Sequence, residues 1–230
     1  MCMKKDLKKC DGQCFLCRHC SPEWTTAIEL NKKMLHYKKG ESIFREGENV
    51  TGICFLNAGK VKVHKQWEDT KELIIRFAKE SDILGHRGFG NTDVYPISAT
   101  ALEAVTVCYI DMKFFLASLK VNQDFTFQLL TFYANELRDA EKRMRDLAHM
   151  DVRGRLADAI LMLQDKFGEN TKGYIDVAVT RQEIASFAGT TYETFFKVVS
   201  ELVKEKIIKF SGKSIRILKK ARLEAYAKKN

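Results

Sequence analysis

The spacing of apolar residues changes along this chain, and each change predicts a different element. From residue 27 to about residue 115, short apolar runs such as FLNAGKVKVHKQ and KELIIRFAK are separated by glycines. Short apolar runs between turn residues are typical of antiparallel strands in a small barrel or roll. We therefore expect a β-rich domain in the first half of the chain.

A helical pattern follows from Asn122 to Met150, which contains neither glycine nor proline. Its apolar residues recur at alternating steps of four and three, at Tyr133, Leu137, Ala140, Met144 and Leu147. That spacing predicts a coiled-coil seam, and therefore self-association through this helix. The alternative is a single helix that packs only on its own domain.

The last third of the chain continues with the helical segment DVRGRLADAILML, in which Gly154 is the expected hinge. The alternation of Ile175, Val177 and Val179 then predicts a strand over residues 174–179. Residues 207–218 give a strand, a Ser-Gly-Lys turn and a second strand. A β-hairpin is therefore expected close to the end of the chain.

Two helix starts lie ten residues apart before that hairpin. Thr180 with Glu183, and Thr190 with Glu193, each fit a capping box, and Gly189 marks the bend between the two helices. The second helix has an inward stripe at Phe195, Val198, Val199, Leu202 and Val203. Its other face carries the residues expected to be exposed, namely Tyr192, Glu193, Phe196, Lys197 and Ser200. A helix presented in this way fits the major groove of DNA, although the pair could instead only pack or bind protein.

Charge supports the DNA interpretation. The 230 residues carry a formal net charge of +9, and residues 151–230 hold 16 Lys and Arg against 10 Asp and Glu. No stretch approaches the roughly 20 apolar residues of a membrane helix, and the start of the chain lacks the apolar core of a signal peptide. We therefore expect a cytoplasmic protein with no membrane partner.

The order of these parts resembles the CRP/FNR family of transcriptional regulators, named after the cyclic AMP receptor protein and the fumarate/nitrate reduction regulator. The resemblance rests on GESIFREGE at residues 40–48, DVRGRLADAI and TRQEIASFAGTTYETFFKVVSELV. It implies an α+β fold with a cysteine-rich segment (1–24), a cyclic-nucleotide-binding-like β-roll or jelly roll (25–120), a dimerisation helix (121–150) and a winged helix-turn-helix (151–230). It also implies a homodimer without enzymatic activity, which binds an inverted repeat of double-stranded DNA and works with RNA polymerase.

On the reading surface the resemblance carries over directly to Glu193, whereas Tyr192, Phe196 and Lys197 depart from the residues of the family. Glu193 would accept from a cytosine amino group, and Lys197 would donate to guanine or to a phosphate. Phe196 would contact a thymine methyl group or else pack against the neighbouring helix. The full predicted DNA-binding set is Arg181, Gln182, Thr191, Tyr192, Glu193, Phe196, Lys197, Ser200 and Lys213, with Arg181, Gln182 and Lys213 on phosphates.

The cyclic nucleotide site of the family does not carry over. Family members that bind cyclic AMP have a Gly-Glu turn and an Arg-Ser pair, where this chain reads Gly85-His86-Arg87-Gly88 and Tyr95-Pro96. Cyclic AMP is therefore not expected to bind. His86, Arg87 and Gly88 are left as a candidate pocket for another small ligand, in which case the cysteines would be incidental.

Seven cysteines occur, five of them within the first twenty residues. Cys10, Cys14, Cys17 and Cys20 are spaced as soft ligands that could hold a [4Fe-4S] cluster. The oxygen-sensing branch of the family has a similar cluster plus a distant cysteine, whose place here is taken by Cys108, although Cys20 follows Cys17 more closely than in that branch. We expect Cys14, Cys17, Cys20 and Cys108 as ligands, with Cys10 as the alternate, and a response to oxygen, nitric oxide or redox state.

Three alternatives to that cluster stay open. The N-terminal cysteines could belong to a basic tail that binds stray zinc, or they could form a thiol-disulfide switch. A redox enzyme built on them is disfavoured, because the chain has no Gly-rich dinucleotide loop and no thioredoxin-like unit.

Overall fold

A computed structural model describes residues 14–68, 71–90 and 93–228. The predictions that concern Cys2 and Cys10 lie outside these residues. The chain forms two compact units, one up to Leu137 and one from Arg138, each of which is described separately below. Among the described residues, no helix is both long enough and apolar enough to cross a membrane.

The first unit is built on two four-stranded antiparallel sheets. Their orders are β1-β8-β3-β6 and β2-β7-β4-β5. The strands are β1 (Lys33–Tyr37), β2 (Ser42–Phe44), β3 (Gly52–Ala58), β4 (Val61–Glu68), β5 (Lys71–Ala78), β6 (Ile83–Leu84), β7 (Ser98–Ala101) and β8 (Val105–Asp111). The predicted β-roll is present.

The two faces of the first sheet contribute side chains to two different hydrophobic cores. Side chains alternate across a strand, so Cys54 and Val107 point into the roll, whereas Phe55 and Cys108 point to the opposite face. The inner core is apolar and includes Phe44, Leu56, Val61, Ala99 and Tyr95. Cys108 therefore belongs to the outer core and not to the interior of the roll.

Helices cover that outer face. They are α1 (Phe15–His19), a 3₁₀ turn (Pro22–Trp24), α2 (Thr25–Asn31), α3 (Met112–Val121) and α4 (Gln123–His149). The N-terminal segment is tied to the α3–α4 corner, because the Ser21 backbone N–H donates to Asn122 Oδ1 at 2.9 Å. The indole N–H of Trp24 donates to Ser118 Oγ at 2.9 Å, and its ring stacks on Phe114.

The predicted long helix is α4, but its exposed stripe differs from the predicted seam. Tyr133 is half-buried, and its hydroxyl donates to the carbonyl of His86 at 2.6 Å, so this residue faces its own roll. The exposed apolar residues of α4 begin earlier and are Phe127, Leu130, Leu137, Met144 and Leu147.

The second unit contains the remaining helices and strands. They are α5 (Val152–Phe167), α6 (Arg181–Phe187), α7 (Tyr192–Lys204), β9 (Ile208–Ser211), β10 (Ser214–Ile217) and α8 (Lys220–Ala227). The antiparallel pair of β9 and β10 is the predicted hairpin, and with α6 and α7 it forms the predicted winged helix-turn-helix.

Two predictions for the segments that precede α6 were wrong. Gly154 is no hinge: it lies inside α5, where a Cβ would stand 2.8 Å from Met150 Cγ, so the glycine allows close packing. The chain breaks instead at Asp151, whose side chain caps α5. Residues 174–179 form no named strand, because only an isolated bridge forms at Ile175 although the three alternating residues are buried.

Candidate DNA interface and sensory sites

The first helix of the DNA-reading pair is placed by a complete capping box. Thr180 Oγ1 accepts from the Glu183 backbone N–H at 3.1 Å, and Glu183 Oε2 accepts from the Thr180 N–H at 2.7 Å. The second predicted box was misplaced by one residue: Thr191, and not Thr190, caps α7 by accepting from the Thr194 N–H at 3.3 Å. Thr191 is thus the residue that starts the reading helix.

Helix α7 has one buried and one exposed face. Phe195, Val199 and Leu202 are buried, whereas Val203, predicted on the inward stripe, is 41% exposed. Phe196 is 55% exposed, which argues against a packing role. Ser200 donates to the Phe196 carbonyl at 2.7 Å. The exposed face presents the predicted contacts Tyr192, Glu193, Phe196, Lys197 and Ser200.

The predicted phosphate contacts lie around the same surface. Arg181 and Gln182 are exposed at the start of α6, and the Arg181 guanidinium lies over the ring of Phe210 in β9, 5.4 Å from its centroid. This cation–π contact joins α6 to the hairpin. Lys213 is exposed at the hairpin turn, next to Gly212 with its positive φ.

Tyr95 lies inside the roll. It stands where the resemblance would require one residue of the phosphate-binding Arg-Ser pair, and it is buried. Its ring stacks on Phe44 with centroids 4.3 Å apart, and its hydroxyl donates to the Gly52 carbonyl at 2.8 Å. An aromatic pair inside the roll can supply neither the ribose carboxylate contact nor the phosphate contact.

The loop of His86, Arg87 and Gly88 packs closely on its own unit. His86 is 2% exposed, and Gly88 packs so closely that a Cβ would lie 2.6 Å from Val50 Cγ2. Arg87 Nη2 donates at 3.0 Å to Glu136 Oε2, which belongs to α4. The same oxygen lies 3.7 Å from His86 Nε2, an electrostatic contact too long for a hydrogen bond.

Glu136 therefore lies at the centre of a group of charges. Arg76 Nε is 3.6 Å from Glu136 Oε2, and a second nitrogen of Arg76 donates to the Ile83 carbonyl. Burial alone would raise the pKa of Glu136, but His86 and the two guanidinium groups outweigh it and lower the pKa to about 2. Burial lowers the pKa of His86. We call Arg76, His86, Arg87 and Glu136 the Glu136 cluster.

The cysteines converge on the outer core of the first unit. Cys14 and Cys20 flank α1 as its two caps, and Cys17 lies inside it. Cys14 and Cys108 are buried, and Cys17 and Cys20 are half-buried against the same core. Cys54 lies on the other face of the sheet and is separate from this group.

The chemistry of these thiols bears on metal binding. Desolvation, helped by the neighbouring Cys14, raises the pKa of Cys20 to about 12, so a metal would have to displace its proton. Within residues 14–68, 71–90 and 93–228, no three His, Cys, Asp or Glu side chains are grouped as one metal ion would require. A single zinc ion needs such a group, whereas a [4Fe-4S] cluster would bind its four thiolates on four different iron atoms.

The aromatic contacts beside the cysteines were not foreseen from the sequence. The Phe15 ring meets Phe125 and Phe132 of α4 edge-on at 6.1 and 6.0 Å, and Phe132 meets His86 at 4.9 Å. Glu136 was missed as well, because the helical pattern gave its neighbour Leu137 a place in the seam and gave Glu136 no role. The unexplained Gly-His-Arg-Gly loop was the only signal that an internal carboxylate was needed.

Two family models match the chain. Residues 34–122 match the cyclic nucleotide-binding domain, and residues 154–226 match the Crp-like helix-turn-helix domain. These two ranges contain the roll and the DNA-reading pair described above.

Curated relatives cover most of the chain. It is 27% identical over 209 residues to the CRP-like cAMP-activated global transcriptional regulator of Mycobacterium tuberculosis, with 90% of this chain and 93% of that protein covered. It is 28% identical to the transcriptional activator protein anr of Pseudomonas aeruginosa, covering 86% and 82%. Among solved structures, FixK2 from Bradyrhizobium japonicum has a TM-score of 0.75 at 22% identity and covers 86% of this chain and 98% of its own. That last likeness concerns the fold.

Proposed function

The chain belongs to the CRP/FNR family of transcriptional regulators, and from this premise we propose that it binds inverted-repeat DNA as a homodimer. Family membership makes it a DNA-binding regulator and not an enzyme. The observation that carries the proposal is the capped α6–α7 pair, whose exposed α7 face bears Glu193 and Lys197. Two such helices related by a two-fold axis would enter successive major grooves, about 34 Å apart.

The exposed stripe of α4 supports the homodimer. Phe127, Leu130, Leu137 and Met144 recur at steps of three and seven and are between 62% and 66% exposed. Four large apolar side chains on one helical face are costly in water, and a second copy of the helix would cover them. This dimer would hold the two reading helices together, and we expect RNA polymerase as the further partner at the promoter.

We assign base readout to the N-terminal half of α7. Glu193 would accept from a cytosine amino group, Lys197 would donate to guanine or a phosphate, and Phe196 would meet a thymine methyl group. Tyr192, Thr191 and Ser200 flank them, while Arg181, Gln182 and Lys213 would contact phosphates.

The experiment is selection of bound sequences from a random duplex library, with wild-type protein and with Glu193→Ala. We expect an inverted repeat for wild type and a loss of preference at one base pair of each half-site for the variant. Unselective binding by the wild type would contradict the proposed function, and an unchanged selection by Glu193→Ala would contradict only the role of Glu193.

We further propose that the signal is oxygen, nitric oxide or redox state, read through a [4Fe-4S] cluster on Cys14, Cys17, Cys20 and Cys108, with Cys10 as the alternate ligand. The support is that three closely spaced cysteines and the distant Cys108 belong to the same core, to which Phe125 and Leu129 of α4 also contribute. A bound cluster would supply the chemistry that responds to the gas. The chain's own part is to pack α1 through Phe15 against Phe125 and Phe132, so that a change at the cysteines reaches the dimer helix.

The test is purification without oxygen, followed by the visible spectrum and assays of iron, sulfide and zinc. We expect a brown protein with iron and sulfide in near-equal amounts, and a colourless protein from Cys108→Ser. A metal-free wild-type protein that still binds its operator would contradict the cluster. It would favour a small organic ligand as the signal.

Cyclic AMP is not part of the proposal. Tyr95 and Pro96 replace the Arg-Ser pair, Tyr95 stacks on Phe44 inside the roll, and Glu136 already pairs with Arg87. Isothermal titration with cyclic AMP should give no saturable heat. Tight binding would overturn this assignment.

A further inference from the structure

The turn between α6 and α7 is held by two arginines from outside the helix pair. Arg143, near the end of α4, donates from Nη2 to the Phe187 carbonyl at 2.7 Å. Arg155, in the first turn of α5, donates from Nε to the Ala188 carbonyl at 3.1 Å and from Nη2 to the Gly189 carbonyl at 3.3 Å. Three consecutive carbonyls immediately before the reading helix therefore accept from these two side chains.

Both arginines are fixed by further contacts. The Arg143 guanidinium lies over the Phe187 ring, 4.5 Å from its centroid. Arg155 also donates from Nη1 to the Met150 carbonyl at 2.6 Å, so one planar group bridges the break between α4 and α5 and the α6–α7 turn. Only a forked guanidinium can make these three bonds at once, because a lysine ammonium is a single point charge on a flexible stem.

Gly189, in the turn between α6 and α7, also packs against the end of α4. Gly189 has a φ of +64°, and a Cβ on it would lie only 2.4 Å from Leu147 Cδ2. The turn therefore packs directly on the last residues of α4. The C-terminal carbonyls of α6 carry the negative end of its dipole, which favours the two positive charges placed there.

We infer that Arg143 and Arg155 are positioning residues that set the orientation of α7 relative to the end of α4. The inference rests on the proposed function, since it concerns how the DNA-reading helix is aimed. Neither side chain is needed for base contact, because both are engaged with backbone carbonyls behind the turn. Substitution of either arginine should make the orientation of α7 less well defined and leave the exposed basic surface intact.

The test compares Arg155→Lys and Arg143→Lys with wild type in the full-length protein. Each variant keeps the charge and loses the forked geometry. Affinity is measured for the selected operator and for random duplex DNA of the same length. We expect the ratio of the two affinities to fall about tenfold for Arg155→Lys, the equivalent of one or two lost hydrogen bonds, and less for Arg143→Lys.

The matched control is Arg138→Lys, an exposed arginine on α4. This control should leave the affinity ratio within about twofold of wild type. That difference is well below the tenfold change, equivalent to about 1.4 kcal/mol, that we expect for Arg155→Lys. Hydrogen exchange supplies the second readout: amides of the turn and of the first part of α7 should exchange faster in Arg155→Lys, while those of α5 stay protected.

Two results would overturn the inference. One is an unchanged affinity ratio in both variants; the other is an equal fall in both affinities with a lower melting temperature, which would mean a purely structural role. If wild-type protein itself does not prefer the operator, the proposed function fails and the inference falls with it. If wild type prefers the operator and the variants match it, the inference alone fails.

Discussion

The DNA-reading pair and the cysteine-bearing segment hold their functional residues in different ways. In the pair, caps that span three residues start each helix, as Thr180 does with Glu183. In the cysteine segment, the fixing bonds are long-range: Ser21 to Asn122 spans 101 residues and Trp24 to Ser118 spans 94. The start of the reading helix is therefore set by a local cap, although Arg143 and Arg155 hold the turn before it, whereas the placement of the cysteines depends on the α3–α4 corner.

This difference fits the proposed function, in which a DNA reader is joined to a sensor. The locally capped helix pair would keep its shape when the chemistry at the cysteines changes. The cysteine segment, whose fixing bonds are long-range, would be released by that change. The Glu136 cluster lies beside this segment, because the Phe132 ring contacts both Phe15 and His86.

The largest expected effect comes from the Glu136 cluster. Among the described residues, Glu136 is the only carboxylate close to Arg76, Arg87 and His86. Glu136→Ala therefore leaves partly buried positive charges without a counter-charge. We expect the free energy of unfolding to fall by about 3 kcal/mol. Urea denaturation measures it, and Asp139→Ala, an exposed carboxylate on the same helix, is the control. A loss below about 1 kcal/mol, the range of a surface pair, would make the cluster energetically unimportant.

The pH dependence of the same group gives the second prediction. Because folding lowers the pKa of Glu136 to about 2, its ionised form stabilises the fold above the unfolded pKa of 4.5. That contribution is lost as the pH falls from about 4.5 towards 2. The difference in unfolding free energy between wild type and Glu136→Gln should therefore be constant near neutrality and shrink across this range. If the difference in unfolding free energy does not vary with pH, Glu136 stabilises the fold through packing and not through its charge.

The third prediction concerns the exposed stripe of α4. Leu137→Asp places a charge in the middle of the proposed seam and should convert the protein to a monomer, which light scattering after gel filtration would detect. Loss of two-fold attachment should reduce operator affinity by about 100-fold and leave the affinity of a single half-site almost unchanged. Leu137→Met is the matched control. A Leu137→Asp protein that stays dimeric would place the interface elsewhere.

The sequence was sufficient for the architecture but not for the contacts that tie its parts together. Glycine-separated runs, a glycine-free helix and threonine caps are local signals, and they predicted the roll, α4 and the winged helix. The partners of Glu136 and the placement of Phe15 could not be predicted, because they depend on how distant segments meet. The predicted seam was wrong at Tyr133 for the same reason. The spacing of apolar residues along a helix does not distinguish contact with a partner helix from contact with the chain's own roll.

The smallest effect tests whether the reading helix is organised as locally as proposed. Thr191 caps α7, whereas Thr190, the cap expected from the sequence, has no such bond to the first turn. Thr191→Ala should lower the free energy of unfolding by about 1 kcal/mol because an N-terminal amide loses its acceptor. Thr190→Ala should stay within about 0.5 kcal/mol of wild type. If the two substitutions cost the same, the cap does not fix the start of α7, and the contacts of the turn with Arg143 and Arg155 would have to define it alone.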